Sequence, residues 1–219
     1  MKRAFDAAVA ALGLVVLGPI MLVTAALIRA SSPGLVVFWQ ERVGRGFRPF
    51  RICKFRSMVA GATSQGPPIT AGEDPRITRL GRILRKTKID ELPQLWNVLV
   101  GDMSFVGPRP EVPKYVAMFR EDYEEILQVR PGITDLASIE YRDEAAILGQ
   151  ADDPEREYVE RVLPEKIRLA KEYLHRASFW FDLSLIFRTL WVIVRGTSLK
   201  SLTSVPPSDP AALPEAEGR

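Results

Sequence analysis

Two carboxylates stand side by side at Asp90 and Glu91, and Arg79, Arg82, Arg85, Lys86 and Lys88 closely precede them. Adjacent acids inside a basic stretch suit a short list of tasks. An ionised carboxylate can hold a hard divalent cation through its oxygens or attack phosphorus as a nucleophile, while nearby cations neutralise phosphate groups brought to it. Arg109, in Gly107-Pro108-Arg109-Pro110, puts a planar guanidinium on a stiff turn. There it can grip two phosphate oxygens at once or, more plainly, bond loop carbonyls. Lys54 and Arg56 alternate with Cys53 and Phe55, so on a strand the two cations share one face. A solvated strand face is the plain alternative to a phosphate contact.

Several elements must position these groups. Asp90 reads as the N-cap of a helix running to about Val100, with Pro93 in its first turn, where a missing N–H forfeits no intrahelical bond. The helix dipole and the upstream cations should then hold Asp90 ionised near neutral pH. Asp74-Pro75 reads as the start of an earlier helix with Ile77, Leu80 and Leu84 on one side and Arg79, Arg82 and Lys86 on another. Residues 60–73 are rich in Gly, Pro, Ser and Thr and read as a mobile loop, as a substrate lid would require. Leu35–Trp39 and Phe50–Phe55 read as two strands joined through Gly44, Gly46 and Pro49.

Further along, Pro113–Val129 reads as one charged helix and Asp152–Arg176 as a helical region interrupted at Pro164. Ser178–Arg195 has apolar residues near i, i+3, i+4, i+7 spacing. It fits a core helix or one lying in the headgroup plane, and its paired tryptophans favour the second. Between Asp6 and Arg29 no residue is charged, a run of about 22 residues, enough to cross the ~30 Å hydrocarbon core as a helix. Its length and the Arg29 that follows argue against a cleaved signal peptide. A straight span competes with a re-entrant hairpin broken at Gly18-Pro19. Lys2 and Arg3 before the run and Arg29, Arg42, Arg45 and Arg48 after it give no charge asymmetry, so the positive-inside rule keeps both ends in the cytoplasm.

Among 219 residues there is one cysteine and one histidine, which excludes an internal disulfide and a polyhistidine metal site. Cys53 reads as strand filler and His175 as a solvated surface residue. No P-loop, no GxGxxG after a strand and no metal-spaced Cys/His set is present, so neither nucleoside-triphosphate nor zinc chemistry has support. The net charge of +3 by itself points neither to nucleic acid nor to a membrane. The basic face at Arg79, Arg82 and Lys86 suits plain solvation, nucleic acid or anionic lipid, and in a chain with an apolar segment lipid is favoured.

KRAFD at 2–6, SSPG at 31–34, QERVG at 40–44, KFRSM at 54–58, the continuous block 74–110 and RPGIT at 130–134 together resemble the bacterial sugar transferases. These are the monotopic phosphoglycosyl transferases that start glycan assembly on a polyprenyl phosphate. The resemblance implies a re-entrant helix broken at Gly18 and Pro19, and Asp90 as nucleophile with Glu91 in support. It implies Mg²⁺ held by Asp90 with Glu91, and phosphate contacts from Lys54, Arg85 and Arg109. The implied substrates are a UDP-sugar and undecaprenyl or another polyprenyl phosphate, with UMP released through a covalent Asp intermediate. Membrane lipid is an implied partner, nucleic acid is not, and a homodimer is compatible. The implied location is the bacterial inner membrane, with the active site facing the cytoplasm. The family pattern is lost between Asp135 and Glu144, so no role is carried over there.

The expected fold is α+β and mostly helical. A membrane hairpin occupies residues 1–33 and a catalytic domain residues 34–196, with a small β-hairpin and interfacial amphipathic helices; a disordered tail follows at 197–219. The competing reading is a non-catalytic membrane-anchored module whose basic surface binds lipid or nucleic acid. Such a surface has no use for acids set among its arginines, so the Asp90-Glu91 pair separates the two.

Overall fold

The computed structural model describes residues 2–195; the tail expected at 197–219 lies outside them. The chain opens with α1 (Lys2–Ser31), long and apolar enough to cross a membrane. Gly18-Pro19 falls inside it, and the helical run continues through the pair. Buried residues lie near its two ends, at Asp6 and Ala10 and at Thr24 and Ile28, while nothing from Ala11 to Val23 is buried. Each end is fastened. Lys2 Nζ donates to the Val106 carbonyl at 2.9 Å and pairs with Asp182, Arg3 donates to the Val98 and Leu99 carbonyls at 2.5 and 2.6 Å, and Asp6 accepts from Ser104 at 2.8 Å. At the other end Ile28 packs against Phe55 and Leu84.

β1 (Val37–Val43) and β2 (Pro49–Phe55) pair antiparallel as expected, with Phe38 opposite Lys54 and Gly46 taking φ 64 in the turn. Arg56 stands just past β2. Its guanidinium donates to the carbonyls of Ser32 and Pro33, each at 2.8 Å, and so fastens the exit of α1. α2 (Arg79–Thr87) starts at Thr78 rather than Asp74, because the Thr78 hydroxyl accepts the Gly81 N–H at 2.9 Å whereas Asp74 is held by Arg76. A Cβ at Gly81 would stand 1.9 Å from the Ser57 carbonyl oxygen, so glycine is what lets α2 lie against the exit of β2. Arg79, Arg82 and Lys86 are exposed, as the helical spacing predicts, while Arg85 turns inward.

α3 (Gln94–Val100) leads to β3 (Ser104–Val106), which pairs in parallel with β4 (Gly132–Thr134). Between these strands the expected single helix is two, α4 (Pro113–Met118) and α5 (Arg120–Ile126). Phe119 leaves helical geometry at φ −120, ψ 40 and packs its ring on the main core. α6 (Leu136–Glu140), α7 (Glu144–Leu148) and α8 (Pro154–Glu157) follow. A wide π turn at Tyr158–Val162 then hands over to α9 (Leu163–Arg176). Pro164 falls in the first turn of α9, where its missing N–H costs no helical bond, so the expected interruption is a change of helix type.

The main core gathers Val43, Tyr115, Val116, Tyr123, Leu148, Tyr158 and Leu163, each side chain contributing about 1.5–3 kcal/mol by leaving water. A second core joins Val106, Leu136, Ile139 and Leu169 to α10 (Phe179–Arg195) through Leu185. The opposite side of α10 leaves Phe179, Trp180, Phe187 and Leu190 exposed. One face of that helix is core and the other an uncovered apolar surface.

Candidate functional site

The site is built at the junction of α2 and α3. Lys88 closes α2 in the left-handed conformation at φ 59, its N–H donating to the Arg85 carbonyl at 3.2 Å. For a non-glycine residue that conformer costs about 1 kcal/mol, and here it turns the chain into a single 3₁₀ turn, Ile89–Glu91. Pro93 then stands at the N-cap of α3, so the helix begins three positions later than expected and Asp90 caps nothing. Asp90 lies instead at the edge of a cleft of about 520 Å³ formed by the β1–β2 hairpin and the loop after it. Lys54 and Arg85 line the same cleft. Asp90 is 5% exposed, and its Oδ1 has no hydrogen-bond partner among the described residues.

Glu91 has the opposite fate. Arg109 grips both of its oxygens, Nη1 to Oε2 at 3.2 Å and Nη2 to Oε1 at 2.5 Å, and Lys54 Nζ reaches Oε1 at 3.4 Å. Neither Glu91 nor Arg109 is among the residues lining the cleft. The five expected site residues therefore come together in two ranks: Lys54, Arg85 and Asp90 face the cleft, and the Glu91–Arg109 pair stands behind Lys54. Gly18 and Pro19 belong to the uncovered middle of α1 and take no part in the site.

Two supports escaped the sequence reading. Asp135, in the segment where no role was assigned, is buried; its Oδ2 accepts the Arg109 backbone N–H at 3.0 Å and its Oδ1 caps α6 through Ser138 at 2.7 Å. An Asp just ahead of a helical run was a usable capping signal. The β3–β4 pairing brings Asp135 to Arg109, and a Cβ on Gly132 would come within 2.2 Å of the Gly107 nitrogen. Arg42, counted above only as a loop charge, lines the cleft and donates to Glu111 at 3.1 Å. Glu111 in turn accepts the Tyr158 hydroxyl at 2.6 Å, a contact with no local sequence signal.

These contacts sort the two acids. Burial pushes the Asp90 carboxyl above its ordinary range and adjacent Glu91 adds to this, against the pull of Lys54, Lys88 and Arg85. The expectation that the upstream cations dominate is thus reversed, because burial outweighs them. Burial also acts to raise Glu91, but Arg109 and Lys54 hold it well below the usual range. Lys54 is pushed down to about 8, chiefly by burial, with Glu91 opposing. The result is a permanently charged structural pair behind a buried carboxyl with one free oxygen, beside a cation whose proton is loosely held. Cys53 is buried, its thiol pushed up to about 11, consistent with filler.

The model of the family described as bacterial sugar transferase matches residues 1–196, and the chain belongs to that family. It is 39% identical over 201 residues to the UDP-N-acetylgalactosamine-undecaprenyl-phosphate N-acetylgalactosaminephosphotransferase of Aeromonas hydrophila, across 90% of this chain and 44% of that protein. It is 35% identical over 194 residues to the UDP-glucose:undecaprenyl-phosphate glucose-1-phosphate transferase of Escherichia coli (strain K12), across 87% of this chain and 39% of that protein. The exopolysaccharide production protein PSS of Rhizobium leguminosarum bv. phaseoli is 38% identical over 199 residues, with 87% of this chain and 93% of that protein covered. The chain spans about two-fifths of the length of the first two relatives.

Proposed function

We propose that the chain is a phosphoglycosyl transferase that moves a sugar 1-phosphate from a UDP-sugar to undecaprenyl phosphate and releases UMP, as a membrane step of exopolysaccharide or other glycan synthesis. The carrying observation is Asp90, a buried carboxylate with an unpartnered oxygen at the edge of a cleft that also presents Lys54 and Arg85. Membership of the bacterial sugar transferase family and the names of the relatives support the substrates.

In the proposed reaction an Asp90 oxygen attacks the sugar-bearing phosphorus, and the bond from that phosphorus to the bridging oxygen breaks. UMP departs with the bridging oxygen, leaving the phosphosugar on the Asp90 carboxylate. An oxygen of undecaprenyl phosphate then attacks the same phosphorus, and the bond to Asp90 breaks to restore the carboxylate. Lys54 and Arg85 neutralise charge growing on the transferring and leaving phosphates. Glu91 holds Arg109 and Lys54 in place, a positioning role rather than a proton transfer.

The residues fit Mg²⁺ in one way. Asp90 would hold the ion through its free hard oxygen, as magnesium prefers, whereas Glu91 has both oxygens engaged by Arg109. Bound there, the ion would supply charge neutralisation for the diphosphate.

The same reading puts the protein on the cytoplasmic face of the inner membrane with α1 as a re-entrant hairpin bending at Gly18-Pro19. Proline removes one helical bond and crowds the preceding turn. The fastening of both ends of α1 to one body, with an uncovered apolar middle, supports this bend.

The reaction is tested by incubating the enzyme with UDP-sugar labelled in the sugar and without acceptor. Label should appear on protein at Asp90, chase into lipid when undecaprenyl phosphate is added, and be absent in Asp90→Asn. UMP release that strictly requires acceptor, with no labelled protein ever trapped, would defeat the covalent route.

A further inference from the structure

The loop between β2 and α2 forms one wall of the cleft, yet its regular structure is one 3₁₀ turn at Ala62–Ser64 and one bridge between Met58 and Ile77. A wall so poor in secondary structure needs another fastening, and Arg76 supplies it. Its guanidinium donates to the carbonyls of Ala62 at 3.4 Å, Pro67 at 3.1 Å and Ile69 at 2.9 Å. Asp74 holds the remaining donors, Nε to Oδ1 at 2.9 Å and Nη2 to Oδ2 at 2.6 Å. All five N–H groups of the side chain are thereby used, an arrangement a lysine with three donors cannot copy.

The consequence reaches the reaction centre. With the Ile69 carbonyl held, the next residue, Thr70, presents its hydroxyl to Arg85 Nη2 at 3.1 Å. Arg85 sits in the cleft with Asp90, and no other hydrogen bond from its guanidinium to a side chain is seen among the described residues. A segment tied down by polar bonds to one charged group also opens more cheaply than the core beneath it.

We propose that the Asp74–Arg76 pair is a latch that closes this wall and, through Thr70, aims Arg85 at the diphosphate of the donor; Arg76 is a positioning residue for the transfer. The proposal rests on the phosphoglycosyl transferase reading, with Arg85 acting on the transferring phosphate. The latch is made when the loop carbonyls and Asp74 surround the guanidinium and is released when the loop lifts.

The test is a double-mutant cycle on full-length protein in lipid nanodiscs, reading UMP release from UDP-sugar. Arg76→Lys and Thr70→Val should each lower kcat about tenfold with less change in KM, and the pair together should lose little more than either alone. Guanidinium ion added to Arg76→Ala should recover rate, which a general packing defect would not allow. Independent, multiplicative losses in Arg76→Lys and Thr70→Val would overturn the latch while leaving the reaction intact. Turnover in Asp90→Asn would instead defeat the reaction reading. Limited proteolysis judges the latch apart from catalysis: the loop should be cut faster in Arg76→Lys than in wild type, and equal cutting would overturn it.

Discussion

Lys54 offers the sharpest test, because its titration should move activity and stability in opposite directions. Its ammonium group is pushed down to about 8 by burial, against about 10.4 for a lysine in an unfolded chain. Below pH 8 both states hold the proton, and the fold bears the full cost of a buried charge. Between about pH 8 and 10.4 the unfolded chain binds more protons than the folded one, so stability rises with pH across that window. At about 1.36 kcal/mol per unit the window contains about 3 kcal/mol, an upper bound because the side chain keeps 19% exposure. In the proposed reaction the transferring phosphate needs the charged form, so turnover should fall about tenfold per unit above pH 8. Cys53 works against this slope: burial moves its thiol from about 8.5 in an unfolded chain to about 11, so across most of the same window the unfolded thiol has lost a proton that the folded one keeps, and Lys54 is read in a Cys53→Ala background.

The assay pairs a pH–rate profile for UMP release with thermal unfolding between pH 7 and 10. The Cys53→Ala background should lose rate and gain stability together. Lys54→Arg cannot lose its proton, so its basic limb should vanish, and Lys54→Met should lose the stability slope. A basic limb near pH 8 that persists in Lys54→Arg, or a stability curve flat across the window in the Cys53→Ala background, would refute the reasoning.

Three further outcomes are expected. Excess EDTA should stop turnover and added magnesium restore it; full turnover in EDTA would remove the metal from the reading. Tags at either end of residues 1–35 should be reachable only from the cytoplasm, with Pro19→Leu favouring a straight span, and an external N-terminus in the native protein would defeat the hairpin. Gly81→Ala forces α2 away from Ser57, since the new Cβ would lie 1.9 Å from its carbonyl oxygen, and should cost about 2 kcal/mol of stability as well as rate through displaced Arg85. Unchanged melting and turnover would show that α2 is less tightly seated than its geometry implies.

The sequence alone determined whatever depends on neighbours along the chain. The uncharged run before Arg29, the β-hairpin around Gly46, the basic side of α2 and the Asp90-Glu91 pair all rest on composition and spacing, and each stands in the structure. Which of the two acids is free was decided only in three dimensions. Asp90 and Glu91 share the same local charges, but Arg109 reaches Glu91 from 18 positions away, delivered by a strand pairing that Gly107 and Gly132 allow. The stop of α2 at Lys88 was equally hidden, since a lysine in the left-handed conformation has no sequence mark and is held there by the packing around it. The acidity of Asp90 was misjudged for the same reason. Counting cations in a window gives the attraction, but the opposing desolvation exists only once β2, α2 and α3 have closed around the carboxyl.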